Sequence, residues 1–112
     1  MMAKTITFSK PYKKLSLDRF TTIRRYDKYR EGIIYKIHIK PLKTHFYAKL
    51  IKKEKKKLKD IPTWFLLLDT ECTSREKAIK LLNSFYKNKI NEDEELTILY
   101  LEKIEGLPVE FN

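Results

Sequence analysis

Hydrophobic and polar residues alternate with a period of two over much of the first half of the chain, which predicts β-strands. Proline at position 41 ends one of these segments, because it cannot donate a hydrogen bond to a strand ladder. A last, nearly all-apolar segment near the C-terminus is typical of a strand inside a sheet. The predicted strands are 4–8, 21–25, 33–40 (with Ile33, Tyr35, Ile37 and Ile39 inward), 44–56 (with Phe46, Ala48 and Leu50 inward) and 96–104.

The period changes to that of a helix between the fourth and fifth of these strands. Residues 58–69 predict a short helix that begins after Pro62, with Trp64, Phe65 and Leu67 packed inward. Residues 73–89 predict a longer helix, whose T-x-x-E capping box is formed by Thr73 and Glu76. Its apolar stripe consists of Ala78, Ile79, Leu82, Phe85 and Tyr86.

This order of elements predicts an α+β fold in a single domain. Five or six strands that must protect their edges favour a small closed or half-closed β-barrel, with the two helices over one opening. A chain of 112 residues has the usual size of one domain. We expect that domain to span residues 1–105, followed by a C-terminal tail at 106–112.

Charge is distributed unevenly along the chain. The net charge is +10, but residues 1–59 contain 19 Lys and Arg against 4 Asp and Glu, whereas residues 60–112 contain 6 against 11. A basic half of this kind favours a polyanionic partner, with nucleic acid ahead of a membrane because no basic amphipathic helix carries the charge. The alternative is a solubility surface in a thermophilic protein, since Lys, Glu and Ile are abundant and only two glycines occur.

Several classes of site are not indicated by the sequence. The single Cys72 cannot form an internal disulfide, and no Cys/His set has zinc-ligand spacing. The longest apolar run, "WFLLL", is too short to cross a bilayer, and the first eight residues have no signal-peptide hydrophobic region. We therefore expect a cytoplasmic protein with no cofactor, no metal and no membrane partner.

Thr22 and Arg24 are the first candidate binding residues, because side chains two apart share one face of a strand. If this face lines a cleft, Arg24 offers donors for a phosphate or a base edge, and Thr22 offers a hydroxyl. The alternative is a half-buried Arg24 that pairs with Asp69 or Glu71 and holds strand to helix.

Cations alternate with aromatic residues directly after this strand. Such a pattern suits single-stranded nucleic acid, whose backbone attracts cations and whose bases stack on rings. Ordinary tyrosine packing at the rim of a barrel is the alternative. The residues concerned are Arg25, Tyr26, Lys28, Tyr29 and Arg30, with Tyr47 and Lys49 as an outward-facing extension on the fourth strand.

The segment "LDRFTTIR", residues 17–24, and the order of the other segments resemble the ASCH domains of the PUA-like superfamily. The signature of these domains has the form G-x-K-x-x-E-x-R, and small members carry Thr in place of Glu. Thr22 and Arg24 match it, whereas Arg19 stands at the Lys position and Leu17 at the Gly position. The resemblance implies a PUA-like β-barrel, a cleft beside the helices, and binding or modification of RNA.

Some ASCH proteins resemble amidohydrolases of acetylated cytidine, and others are linked to ribonuclease activity. On that comparison Thr22 and Asp69 are the candidate catalytic residues, with Glu71 as the alternative to Asp69. A desolvated lysine can act as a base, but Arg19 cannot at ordinary pH, so binding is favoured over hydrolysis. A protein-interaction domain for an acidic partner is a further alternative. The predicted contacts to RNA or single-stranded DNA are Arg19, Thr22, Arg24, Arg25, Tyr26, Lys28, Tyr29, Arg30, Tyr47 and Lys49.

Overall fold

A computed structural model describes residues 4–105, and within this range the chain forms one five-stranded sheet and two α-helices. The strands are ordered β1-β3-β4-β5-β2, so the apolar last strand lies inside the sheet as predicted. The α+β prediction is confirmed, whereas the predicted tail at 106–112 lies outside the described residues. In chain order the elements are β1 (Thr5–Phe8), β2 (Arg19–Arg24), β3 (Ile34–Ile39), β4 (Thr44–Lys57), α1 (Thr63–Thr70), α2 (Arg75–Ser84) and β5 (Glu95–Ile104).

The described residues group into two compact units. The first unit contains residues 4–21, 29–53 and 99–105, and the second contains residues 22–28 and 54–98. Three short 3-10 helices, Lys13–Ser16, Lys40–Leu42 and Leu58–Asp60, occur within this range. The second of them includes Pro41, so this proline follows the end of β3 as predicted.

In the first unit, β3 pairs in parallel with β1 and antiparallel with β4. The register places Ile6 beside Ile37 and Tyr35 beside Ala48. Alternate residues of β1, of β3 and of β4 up to Leu50 therefore point into one apolar cluster, as the alternation predicted. The fully or nearly fully buried members from the three strands are Ile6, Phe8, Tyr35, Ile37, Ile39, Ala48 and Leu50.

Ile33 differs from its predicted position, because its side chain is 42% exposed. β3 begins one residue later, at Ile34, so Ile33 is not part of the strand alternation. The preceding Gly32 has φ +83°, which a residue with a side chain adopts only at a cost, and its N–H donates to the Leu50 carbonyl at 2.7 Å. The chain therefore enters β3 through a turn, and its inward pattern starts only at Tyr35.

In the second unit, α1 follows Pro62, and the fully buried Leu66 is its main inward residue. The prediction that Trp64 packs inward is wrong, because the indole is 65% exposed. Leu68, one turn later, is 69% exposed on the same side of the helix. A helix of only eight residues has one narrow inward stripe, so hydrophobicity alone could not assign its faces.

α2 begins one residue later than the predicted capping box. Ser74 is its N-cap, and the Ser74 hydroxyl accepts a hydrogen bond from the Lys77 N–H at 3.2 Å. The hydroxyl of the predicted cap, Thr73, instead accepts from the Lys77 side chain at 3.2 Å. Ser and Thr are nearly equivalent as N-caps, so the adjacent pair could not be separated by residue type.

The hydroxyl of Tyr35 links the core to the loop before β3. Tyr35 is 2% exposed, and its hydroxyl accepts a hydrogen bond from the Arg30 N–H at 2.9 Å. We predict that Tyr35→Phe lowers the free energy of unfolding by about 1–2 kcal/mol, because that N–H loses its acceptor. Urea titration followed by circular dichroism measures the change.

Tyr47→Phe is the matched control, since the Tyr47 hydroxyl makes no hydrogen bond to residues 4–105. Its expected effect on stability is below about 0.5 kcal/mol. Equal losses for the two variants would contradict the assigned role of the Tyr35 hydroxyl.

Candidate functional site

The end of β2 brings two predicted site residues into contact. The Arg24 side chain donates through Nε to Thr22 Oγ1 at 3.2 Å, which confirms that both lie on one face of the strand. Arg24 is half-buried, and Thr22 is only 4% exposed. A guanidinium has no acceptor and keeps its proton, so this contact holds the threonine hydroxyl without offering it a base.

Asp69, the third residue of the predicted set, lies near the end of α1 and is 5% exposed. The next residue, Thr70, is also buried and donates its hydroxyl to the Leu66 carbonyl at 2.8 Å. Within residues 4–105, no buried side-chain nitrogen or oxygen lacks a hydrogen-bond partner. The polar groups at this end of α1 are therefore satisfied inside the protein and do not present an unfilled site.

Arg25, directly after β2, is committed to protein partners. Its side chain is 12% exposed and forms a two-point pair with Glu94, in which Nε–Oε2 is 2.6 Å and Nη2–Oε1 is 3.0 Å. The same guanidinium also donates to the carbonyl oxygens of Asn88 and Lys89. A planar fork of donors is well suited to such a set of acceptors. Arg25 therefore anchors the segment between α2 and β5.

Two tyrosine rings surround the Arg25 guanidinium. Its carbon lies 6.0 Å from the centroid of Tyr26 and 5.7 Å from that of Tyr86, and the two rings meet edge to face at 5.8 Å. The Arg25 N–H also donates to the Tyr86 hydroxyl at 3.0 Å. Tyr26 remains 59% exposed, so it is both part of this cluster and accessible from solvent.

The pair between Arg25 and Glu94 changes the titration of both groups. The hydrogen bond from Arg25, reinforced by its positive charge, lowers the pKa of Glu94 below its ordinary value. The same hydrogen bond raises the already high pKa of Arg25. Partial burial opposes both shifts, so the direct contact is their main cause.

Tyr29 does not present its ring to solvent. The residue is 7% exposed, belongs to the core of the first unit, and meets Tyr35 edge to face at 5.8 Å. Its carbonyl oxygen accepts a hydrogen bond from the Lys53 ammonium at 2.8 Å. Tyr29 is therefore an ordinary packed tyrosine and not a stacking surface for bases. The neighbouring Lys28 and Arg30 are exposed.

Arg19, at the position of the signature lysine, lies on the surface of the first unit. Its side chain is 81% exposed, and Nε lies 3.0 Å from Glu102 Oε2. An ion pair this exposed contributes little to stability and is easily exchanged for another anion.

The remaining predicted contacts, Tyr47 and Lys49, belong to a continuous surface of the first unit. Lys36 lies directly opposite Tyr47 in the pairing of β3 with β4, and Lys49 lies opposite Ile34. Side chains of directly opposed residues are on the same face of a sheet. We call this surface the β1–β3–β4 face, and its residues are Thr5, Thr7, Ile34, Lys36, His38, His45, Tyr47 and Lys49.

No Asp or Glu occurs on the β1–β3–β4 face, and all of its residues are half-buried or exposed. Neither Lys36 nor Lys49 forms an ion pair with any residue from 4 to 105. His38 and His45 lie opposite each other, and the His45 ring contacts Tyr47 edge to face at 5.6 Å. Sequence reasoning found Lys36 and His38 to be outward but could not place them beside Tyr47, because the strand register was unknown.

The two units divide the charge differently from the two halves of the sequence. The described residues of the first unit include 13 Lys and Arg against 4 Asp and Glu, whereas those of the second include 12 against 10. Within the second unit, three successive acidic residues of the C-terminal half pair with local cations. Those pairs include Arg25–Glu94 at 2.6 Å, Lys59–Asp93 at 2.7 Å and Arg75–Glu92 at 3.9 Å. The uncompensated positive charge is thus concentrated in the first unit.

In the described range 4–105, no group of three His, Cys, Asp or Glu side chains has an arrangement that could hold a metal ion. No helix in that range is long and apolar enough to cross a membrane.

Comparison with known proteins identifies one relative. The "Uncharacterized protein MJ0364" of Methanocaldococcus jannaschii is 38% identical over 110 aligned residues, which cover 88% of this chain and 95% of the relative. The chain belongs to the same family as this archaeal protein. The relative comes from a thermophilic archaeon, which agrees with the thermophile-like composition of this chain. No family model and no solved structure matches the chain.

The pair between Arg25 and Glu94 predicts a specific acid sensitivity. Because the pKa of Glu94 is lower in the folded state than in the unfolded state, the ionised pair stabilises the fold above the ordinary value of 4.5. That stabilisation is lost as the pH falls through the lowered pKa. We expect Glu94→Gln to be less stable than the wild type at neutral pH and to lose less stability on acidification.

Urea titrations at neutral and acidic pH measure both quantities. Glu105→Gln is the control, because Glu105 is exposed and makes no ion pair within residues 4–105. Identical pH dependence of the wild type and Glu94→Gln would show that this pair does not contribute.

Proposed function

We propose that this protein binds nucleic acid, with RNA as the expected ligand, through the positively charged surface of its first unit. The carboxylate-free β1–β3–β4 face carries this proposal, because Lys36 and Lys49 flank Tyr47 there without acidic partners in the described chain. Unpaired cations are available to phosphates, whereas cations already held by carboxylates must first lose a partner.

The charge of the first unit supports the same conclusion. A general solubility surface would intersperse both signs, as the second unit does with its local ion pairs. The first unit instead has about three cations for each acidic residue, and its excess lies partly on an open sheet face. An excess of one sign on one surface attracts a polyanion and accelerates its association.

We further infer that the fold is PUA-like and of the ASCH kind, with the five strands forming a small barrel. The α+β content, the five strands and the match of Thr22 and Arg24 to the ASCH signature support this inference. The low exposure of Thr22 and Asp69 moves the proposed ligand contacts from the end of β2 to the β1–β3–β4 face. We also place the protein in the cytoplasm.

Arg25 and Tyr29 have supporting roles in this proposal. Arg25 holds the segment between α2 and β5, and Tyr29 fills the core, so neither is expected to contact the ligand directly. The accessible cations Arg30, Lys36 and Lys49 are the expected phosphate contacts of the first unit.

The proposal predicts salt-dependent binding of a labelled single-stranded RNA. If three or four phosphates are neutralised, the logarithm of the association constant falls with the logarithm of salt concentration with a slope of roughly −2 to −3. Fluorescence anisotropy at several salt concentrations measures this slope. No binding at low salt, or binding that does not respond to salt, would overturn the proposal.

The location of the site predicts an asymmetric effect of charge reversal. Lys36→Glu with Lys49→Glu should weaken RNA binding by at least about tenfold, because both changes repel phosphates at the face. The matched control is Lys80→Glu with Lys87→Glu, which changes two exposed lysines of the second unit by the same charge. An equal loss for both double variants would indicate attraction by net charge alone and contradict a site on this face.

A further inference from the structure

We propose that the β1–β3–β4 face is a platform for single-stranded nucleic acid, on which a base stacks against Tyr47 while Lys36 and Lys49 contact neighbouring phosphates. This inference rests on the proposed function, that the protein binds nucleic acid, and adds the strand state of the ligand and the manner of its recognition.

The register of the sheet sets the distances between Tyr47 and the two lysines. Lys36 is the direct cross-strand partner of Tyr47, and such partners have Cβ atoms about 5 Å apart. Lys49 is two residues further along β4 on the same face, which places it about 7 Å from Tyr47. An aromatic ring with one cation beside it across the sheet and another along its own strand suits one base with nearby phosphates.

The Tyr47 ring is positioned before any ligand arrives. It meets the His45 ring at an interplanar angle of 85°, and the side chain remains half-buried by its neighbours. A ring already held in one orientation loses little freedom on binding, which favours affinity. Ile34, 38% exposed and opposite Lys49, adds an apolar surface next to the same position.

A duplex cannot use this arrangement. Its bases are stacked on one another and only their edges reach the grooves, so a ring on a sheet face meets the backbone instead. Single-stranded segments expose base faces, and aromatic stacking on them does not depend on base identity. The platform therefore predicts a preference for single strands with little sequence preference.

The test compares a single-stranded RNA with a duplex of equal length at one low salt concentration. We expect the single strand to bind at least about tenfold more tightly, which is the order of one stacked base. Tyr47→Ala should abolish that preference, whereas Tyr47→Phe, which keeps the ring, should retain it. Trp64→Ala, which removes an exposed aromatic residue of the second unit, is the control and should bind as the wild type does.

A fluorescent purine analogue within the single strand reports stacking independently of affinity. Its emission should be quenched by the wild type and by Tyr47→Phe but not by Tyr47→Ala. Urea titration of each variant verifies that the compared proteins are folded.

Different results would contradict nucleic-acid binding and the stacking platform. If the wild type binds no nucleic acid at low salt, the proposed function itself is wrong. If it binds single strands and duplexes equally, or if Tyr47→Ala retains both preference and quenching, nucleic-acid binding stands and the stacking platform is wrong. Salt-dependent binding to anionic vesicles in place of RNA would assign the same cations to a membrane surface and overturn both.

Discussion

The pairing of β3 with β1 on one side and β4 on the other determines both the core and the exposed face of the first unit. Because strand side chains alternate, the register that buries Tyr35 and Ile37 also turns Lys36 and His38 outward. A shift by one residue would exchange these sets and place a lysine in the core. The apolar residues therefore hold the cations of the face in position, although they never contact a ligand.

The second unit is organised by a different interaction. Arg25 leaves the end of β2 and satisfies two oxygens of Glu94 and two backbone carbonyls of the segment between α2 and β5. That segment carries three of the eleven acidic residues of 60–112, namely Glu92, Asp93 and Glu94. All three pair with cations of the second unit, which also contains most of the other acidic residues from 4 to 105, so the excess positive charge lies in the first unit.

These two arrangements place residues of similar chemistry in different environments. Arg25 and Tyr29 resemble ligand-binding residues in sequence, because a cation and an aromatic residue close together are typical of both a cation–π cluster and a nucleic-acid site. Their burial assigns them to the framework. Tyr47 and the lysines beside it have the same chemistry on a face that solvent reaches, and there the pattern is available for recognition.

The sequence by itself determined which segments form strands and helices, but not all of their ends, and it determined the inward residues of β4 and of β3 from Tyr35 onward, because a period of two or 3.6 is a local property of the chain. It also determined the chemistry of Tyr47 and Lys49 as outward residues. Its errors were local too: Ile33 preceded the strand, Ser74 capped α2 in place of Thr73, and Trp64 faced solvent.

Only the tertiary structure decided which of the candidate residues remain accessible. Burial of Thr22, Asp69 and Tyr29, and the pair between Arg25 and Glu94, depend on contacts between residues far apart in sequence. The placement of Lys36 beside Tyr47 depends on strand register, which no local pattern contains. The charge and type of each residue are given by the sequence, whereas its hydrogen-bond and ion-pair partners and its exposure depend on how distant segments pack together.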